Sequence, residues 1–198
     1  MRAGYALLAT GLYVLLLMLV HVVHMRWLPV DVVFYAAIGD AVLAALLTGC
    51  LLLRRAWRLR LTALERGQLL VIWLLLGYAF AISVPTVIDR SLSFYLLEKL
   101  DQRGGAIRQE RFADLFVEEY LVEHRLVDVR LTEQQASGTV VLQQGCVRLT
   151  ERGRLLARFS RFYRQQLLPR QRLLLGNYSD ALTDPFRHSR ERHDYVCP

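Results

Sequence analysis

The chain has 198 residues, of which 54% are hydrophobic and 22% charged, and its net charge is +7. This composition excludes a disordered chain, a collagen-like chain, a disulfide scaffold and a nucleic-acid-binding tail, and the length allows one or two small domains. Only three of the 18 acidic residues, Asp31, Asp40 and Glu65, precede Asp89. The first part of the chain is therefore far more apolar than the rest. All basic residues except Lys99 are Arg, which is typical of a GC-rich bacterial genome.

Three segments, 5–23, 32–53 and 69–88, each hold about 20 mainly apolar residues, enough to cross about 30 Å of hydrocarbon. As core helices of a soluble protein they would need a much larger body around them than the remaining chain supplies. A cleaved signal peptide is disfavoured for the first segment because its apolar run is too long and no small-x-small cleavage site follows it. Residues 1–90 are therefore expected to form a three-helix transmembrane bundle.

The distribution of arginine near the spans predicts the orientation in a bacterial inner membrane. Five arginines lie in or next to the second loop, whereas the first loop has only Arg26, which favours a cytoplasmic amino terminus and a periplasmic carboxy-terminal domain. Four basic residues close behind the third span reduce this difference, so the opposite orientation stays open. The second-loop arginines are Arg54, Arg55, Arg58, Arg60 and Arg66.

Small side chains recur every four residues in the second span and again in the third. They let helix backbones approach closely, which supplies packing energy in lipid. Two uses are open, since the three helices can pack on one another or the stripe can meet a partner membrane protein. Pro85 is expected to kink the third span because it has no N–H. The stripe comprises Ala37, Ala41, Ala45 and Gly49 in the second span and Gly77 and Ala81 in the third.

A polar cluster is predicted at one membrane face. Asp40 lies within the second span, where an acidic group is costly and normally has a partner. The end of span one, the start of span two and the end of span three emerge on the same side, which brings His21, His24, Asp40, Asp89 and Arg90 together. The cluster can bind a lipid headgroup, relay a proton or dock a polar residue of a partner. The alternative is a pair of interfacial histidines and a structurally paired aspartate.

Beyond Asp89 the pattern predicts a small α+β domain over 91–168. Helices are expected over 91–103, with Ser91 as the capping residue, and over 107–122 and 124–136. A hairpin of 139–142 with 146–149 and a helix over 151–168 capped by Thr150 are expected to follow. Residues 169–198 are rich in turn formers and are expected to be loosely structured. The expected fold is therefore mainly α, a transmembrane bundle followed by this domain.

The run Leu149-Thr150-Glu151-Arg152-Gly153-Arg154 resembles the wing strand and following turn of bacterial winged-helix regulators. Together with the order of helices and hairpin over about 91–162, the resemblance implies a winged-helix-like fold. The stretch 118–137, which would enter a DNA groove, holds five acidic and two basic residues and would repel phosphates. The resemblance therefore implies a fold used for protein contact, with nucleic acid disfavoured as a partner.

The helix over 151–168 is amphipathic, with five arginines interleaved among large apolar residues. Its apolar face is expected to close the domain core, and the alternative is that it lies flat on an anionic leaflet. The arginines are Arg152, Arg154, Arg158, Arg161 and Arg164, and the apolar residues are Leu155, Leu156, Phe159, Phe162 and Tyr163.

Motifs for nucleotide binding, serine hydrolysis and zinc proteolysis are missing from the sequence, and no cofactor or metal is expected. The three cysteines, Cys50, Cys146 and Cys197, lack zinc spacing. Cys146 and Cys197 can form a disulfide if the domain is periplasmic, and otherwise they are ordinary thiols. Glu119 and His124 are predicted on a helix surface with no cleft around them.

These features predict a non-catalytic accessory or scaffolding subunit in a bacterial inner-membrane complex. Its partners would be membrane lipids and a larger integral membrane protein, with an envelope polysaccharide or lipid-linked glycosyltransferase as the expected class. One alternative is a membrane-tethered winged-helix regulator. The other is a small lipid-modifying enzyme that uses His21, His24 and Asp40.

Overall fold

The computed structural model describes residues 2–54, 61–187, 189 and 197. The protein is mainly α, with 69% of residues helical, and has three long apolar helices followed by a small α+β region with two small sheets. Its contacts divide the chain into a first unit, Met1–Leu126, and a second unit, Val127–Pro198. The regular helices are α1 (Arg2–Trp27), α2 (Val33–Leu52), α3 (Ala63–Ser83), α4 (Pro85–Arg90), α5 (Leu92–Gln102), α6 (Leu126–Ala136) and α7 (Glu151–Gln166).

Three stretches, Ala3–Trp27, Val33–Leu52 and Ala63–Arg90, are long and apolar enough to cross a membrane. They confirm the prediction of a multi-pass membrane protein. The helix α2 packs against both α1 and α3. Tyr13 and Trp73 stack at the centre of this bundle with ring centroids 5.4 Å apart, and the Trp73 Nε1–H donates to Thr10 Oγ1 at 3.1 Å. The indole therefore links α1 to α3 through both apolar and polar contacts.

The ends of α3 follow from its sequence. Thr62 and Glu65 form a capping box, in which Thr62 Oγ1 accepts from the Glu65 N–H at 3.2 Å and Glu65 Oε2 accepts from the Thr62 N–H at 2.7 Å. At the other end α3 stops at Ser83, and the short helix α4 begins at Pro85. Because proline has no N–H to donate, the third span is interrupted where the sequence predicted a kink.

The rest of the first unit packs around a small aromatic core. Ser91 caps α5 as predicted, with its Oγ accepting from the Phe94 N–H at 3.3 Å. Beyond α5 an irregular helix consists of the turns Gln109–Arg111, Phe112–Asp114, Leu115–Tyr120 and Leu121–Glu123, of which Leu115–Tyr120 is π-helical. Buried Tyr95, Leu115 and Tyr120 form the core between this helix and α5.

In the second unit the strands β1 (Val140–Gln143) and β2 (Cys146–Leu149) form the predicted antiparallel hairpin. Thr150 caps α7 by accepting from the Gly153 N–H at 3.1 Å. A Cβ at Gly153 would lie 2.2 Å from the Thr139 carbonyl oxygen, so only glycine allows α7 to approach the hairpin so closely. These contacts explain why the motif at Leu149–Arg154 has Thr150 and Gly153 where the hairpin meets the helix.

Two expectations for the later part of the chain differ from the structure. Strands β3 (Arg172–Leu174) and β4 (Asn177–Ser179) form a second hairpin inside the segment predicted to be loosely structured. The apolar side chains of α7 do not close a core, because Gly153 is the buried residue of this helix. The boundaries 1–90, 91–168 and 169–198 and the winged-helix-like arrangement stay predictions, since the contacts divide the chain after Leu126.

Candidate functional site

A single carboxylate in the membrane bundle holds two histidines. His21 Nδ1 lies 2.9 Å from Asp40 Oδ2, and His24 Nδ1 lies 2.6 Å from Asp40 Oδ1. Asp40 is only 3% exposed, whereas both imidazoles are partly exposed. Each carboxylate oxygen thus has one ring nitrogen as its partner, and we call this group the Asp40 cluster.

The secondary structure places these three residues together. His21 and His24 are three residues apart on α1 and therefore lie on one helix face. Asp40 lies in the first half of α2, and a short connection after Trp27 returns the chain to the same membrane face. The ring of Phe80 from α3 meets His21 edge to face, with centroids 5.2 Å apart. All three spans thus contribute to the surroundings of the cluster.

The Asp40 cluster can hold a proton or serve as a polar clamp between α1 and α2. A carboxylate bound to Nδ1 fixes the orientation of an imidazole and leaves Nε2 as the nitrogen that can exchange a proton or meet a polar group. Within the described ranges, no group of three or more His, Cys, Asp or Glu residues is arranged to hold a metal ion.

The other two residues of the predicted cluster lie in α4, which packs against α2. Asp89 is exposed and lies outside the hydrogen-bonded group formed by Asp40 and the histidines. Arg90 is half-buried. The structure joins His21, His24 and Asp40 by hydrogen bonds, and the function of the cluster stays a prediction.

The stripe of small residues lies mostly inside the bundle. Ala37, Ala41 and Ala45 of α2 are buried, as are Gly77 and Ala81 of α3. Gly49 is half-buried. Little of the stripe is exposed to a partner, which favours the first of the two predicted uses, packing of the three helices on one another.

The first unit contains a second polar group that the sequence analysis did not predict. Buried Lys99 donates to Glu123 Oε1 at 2.6 Å and pairs with Glu119 Oε2 at 3.0 Å, and Tyr95 Oη donates to Glu123 Oε2 at 2.9 Å. The hydrogen bond from Lys99 holds the pKa of Glu123 below its usual value. Hydrogen bonds to Glu123 and Glu119 raise the pKa of Lys99 to about 12. The i, i+4 spacing of Tyr95 with Lys99 and of Glu119 with Glu123 was the available signal.

An open cavity of about 350 Å³ adjoins this group and is lined in part by Lys99, Glu123 and His124. His124, around which the sequence shows no cleft, thus lies beside one. The charged forms of Lys99 and Glu123 stabilise each other, so neither is suited to exchange protons near neutral pH. We therefore interpret the group as an ion-pair clamp between α5 and the irregular helix.

Cys146 and Cys197 form a disulfide with a Cα–Cα distance of 6.1 Å, and Cys50 is a free thiol. The bond joins β2 to a residue 51 positions further along the chain. This resolves the two alternatives that the sequence left open in favour of the disulfide. Stable disulfides form in oxidising compartments such as the bacterial periplasm.

A groove of about 380 Å³ lies between β2 and α7, and we call it the hairpin–helix groove. Phe162 is 56% exposed, and no described carboxylate pairs with Arg158 or Arg161. The groove lining therefore combines apolar and basic side chains. It is lined by residues that include Leu149, Arg154, Ala157, Arg158, Arg161 and Phe162.

No family model, curated protein or solved structure matches this chain. The resemblance to winged-helix regulators therefore rests on the motif at Leu149–Arg154 and on the order of elements. The class that the fold defines is that of membrane-embedded, mainly α proteins with three apolar helices.

Proposed function

We propose that this protein is a non-catalytic accessory subunit of a bacterial inner-membrane complex. In this proposal the three spans anchor the chain and the second unit docks on a larger integral membrane protein. The observation that carries the proposal is the small number of buried side chains in the second unit.

Among the described residues of the second unit only Thr139, Cys146 and Gly153 are buried. Large apolar side chains in α7 and in both hairpins are exposed instead. A domain of this size normally has a buried apolar core of its own, and contiguous exposed apolar surface marks an interaction site. The second unit is therefore suited to fold stably against a partner.

The β1–β2 hairpin favours a protein partner over a flat membrane surface. Leu142 pairs with Val147 and Val140 with Leu149, which puts four apolar residues on one hairpin face. Val141 points to the opposite face and is also exposed. A bilayer can cover one face of a two-stranded ribbon, whereas a protein surface can enclose both.

The charges at the hairpin–helix groove indicate the chemistry of the docked segment. Arg158 and Arg161 line the groove beside exposed Phe162. An apolar side chain flanked by carboxylates would bury Phe162 and pair with the two guanidinium groups. The proposed partner therefore presents an apolar segment with acidic neighbours.

The disulfide and the arginine distribution support a periplasmic second unit. Cys146 and Cys197 are bonded, and such bonds persist outside the cytosol. Arginine in the second loop favours the same orientation by the positive-inside rule. Both observations argue against a cytoplasmic DNA-binding regulator.

Purification of the tagged full-length protein in a mild detergent tests this proposal. We expect one larger membrane protein to copurify at a fixed ratio, and we expect its loss with Phe162→Ser and with Arg161→Glu. Matched controls are Phe159→Ser, which is 58% exposed on the same helix, and Arg164→Glu, since neither residue lines the groove. Purification of the protein alone, or equal loss in the control variants, would contradict the proposal.

A further inference from the structure

A second groove, independent of the proposed docking, lies between α2 and α3. It has a volume of about 400 Å³ and an almost wholly apolar lining that includes Leu46, Leu53 and Leu70. Two glycines that line it, Gly49 and Gly67, have open space at the position of a Cβ. The missing side chains create the groove, which we call the α2–α3 groove.

Among the residues that the structure describes, one charged side chain lines this apolar groove. Arg66 lies in the first turn of α3, close to the point where α2 ends, so it is at the membrane edge of the groove. Its Nη1 is buried, and within the described part of the chain it has no hydrogen-bond partner. A guanidinium group is costly in an apolar lining unless an acceptor pairs with it, so Arg66 makes the groove suited to an acceptor that enters along this lining.

Glu65, the acidic residue next to Arg66 in the sequence, is engaged at the start of the helix. The carboxylate of Glu65 accepts hydrogen bonds from the Thr62 N–H and Oγ1 at 2.7 and 2.9 Å. It is thereby held at the helix start, in the capping box of α3. Arg66 is thus the charged residue among the described part of the groove lining, and its charge selects an anion.

We propose that the α2–α3 groove binds one anionic phospholipid. The guanidinium of Arg66 donates to oxygens of the lipid phosphate, and an acyl chain lies along the apolar lining past Gly49 and Gly67. Guanidinium groups match phosphate oxygens in geometry, and basic pockets between transmembrane helices bind anionic headgroups. By the positive-inside rule this lipid belongs to the cytoplasmic leaflet.

Native mass spectrometry of the full-length protein with added phosphatidylglycerol tests the site. We expect one bound lipid on the wild-type protein. Arg66→Gln removes the charged donor and is expected to weaken binding by about tenfold. Gly67→Leu fills the groove and is expected to weaken binding to a similar degree. The matched control is Gly39→Leu, which places the same side chain in open space on α2, outside the groove.

Further measurements distinguish a lipid phosphate from free phosphate and control for misfolding of the variants. Inorganic phosphate at millimolar concentration is expected not to displace the lipid, and phosphatidylcholine is expected to bind at least several-fold more weakly. Thermal unfolding in detergent checks that Arg66→Gln and Gly67→Leu remain folded. Displacement by inorganic phosphate, equal binding of phosphatidylcholine, or wild-type binding by folded Arg66→Gln would overturn the proposal.

Discussion

Gly77 of α3 lies directly against Ala41 of α2. A Cβ at position 77 would be 2.5 Å from the Ala41 Cβ and 2.5 Å from Tyr13 Oη. The backbones of α2 and α3 approach this closely because neither residue has a longer side chain. In a membrane such packing is a main source of helix association.

The first prediction concerns this contact. Gly77→Ala is expected to destabilise the bundle by about 1–3 kcal/mol because it forces the helices apart. Unfolding in mixed micelles with increasing dodecyl sulfate measures the change. Gly39→Ala, at an open position of α2, is the control and is expected to be neutral or stabilising by about 0.5–1 kcal/mol. Equal behaviour of the two variants would show that the close approach does not stabilise the bundle.

The second prediction concerns the Asp40 cluster. Asp40→Asn keeps the shape but places an amide NH₂ against one of the two histidine nitrogens, so one hydrogen bond is lost or rearranged. We expect a loss of about 1–2 kcal/mol in bundle stability, measured by the same unfolding assay. Asp31→Asn, at an exposed position, is the control. If Asp40→Asn and His21→Ala both leave stability and activity in cells unchanged, the cluster has no role.

The third prediction is the pH dependence of the clamp around Lys99. Hydrogen bonds from Lys99 lower the pKa values of Glu123 and Glu119, so their stabilising effect is present above the ordinary glutamate pKa and is lost as pH falls through the lowered values. Burial and the bond to Glu123 raise the pKa of Tyr95 to about 12, and Lys99 also titrates at about 12. The contribution of Tyr95 and Lys99 to the free energy of unfolding is therefore present below about pH 10 and is lost as the pH rises through about 12.

Thermal unfolding in detergent across these two pH ranges measures the effect. Glu123→Gln is expected to flatten the dependence, because it removes the acceptor shared by Lys99 and Tyr95. Glu118→Gln, at an exposed position of the irregular helix, is the control and is expected to follow the wild-type curve. A Glu123→Gln curve that also follows the wild type would contradict the clamp.

The fourth prediction concerns the disulfide. In protein denatured without reductant, only Cys50 is expected to react with a thiol reagent, as read by mass spectrometry. Reduction, or Cys146→Ser, is expected to cost about 4 kcal/mol on the chain-entropy estimate for a loop of this length and to make the second unit sensitive to protease. Labelling of all three cysteines in protein from unreduced cells would contradict both the bond and a periplasmic second unit.

The spans and the local caps were predictable because each signal lies within one continuous stretch of the sequence. Apolar length defined the three membrane helices, and Ser91 and Thr150 defined the starts of α5 and α7. His21, His24 and Asp40 were grouped from the direction of the chain alone, since short connections return it to the same face. These inferences needed no knowledge of distant contacts.

Other features depended on contacts that no local pattern contains. The amphipathic pattern of α7 predicted a core-facing helix, yet it cannot distinguish a domain core from a surface that a partner covers. The second hairpin was missed because β3 and β4 have three residues each, too few for a period-two pattern. The buried nitrogen of Arg66 depends on how α2 and α3 pack, which sequence spacing does not encode.

Photocrosslinking in living cells shows whether the second unit docks on a larger membrane protein. A photoreactive amino acid at Phe162 lies in the hairpin–helix groove, and one at Phe159 lies on the same helix outside that lining. We expect a crosslink from position 162 to one larger membrane protein, with little or none from position 159. Crosslinks from position 162 only to lipid or to a second copy of this chain, or equal crosslinking from both positions, would contradict it.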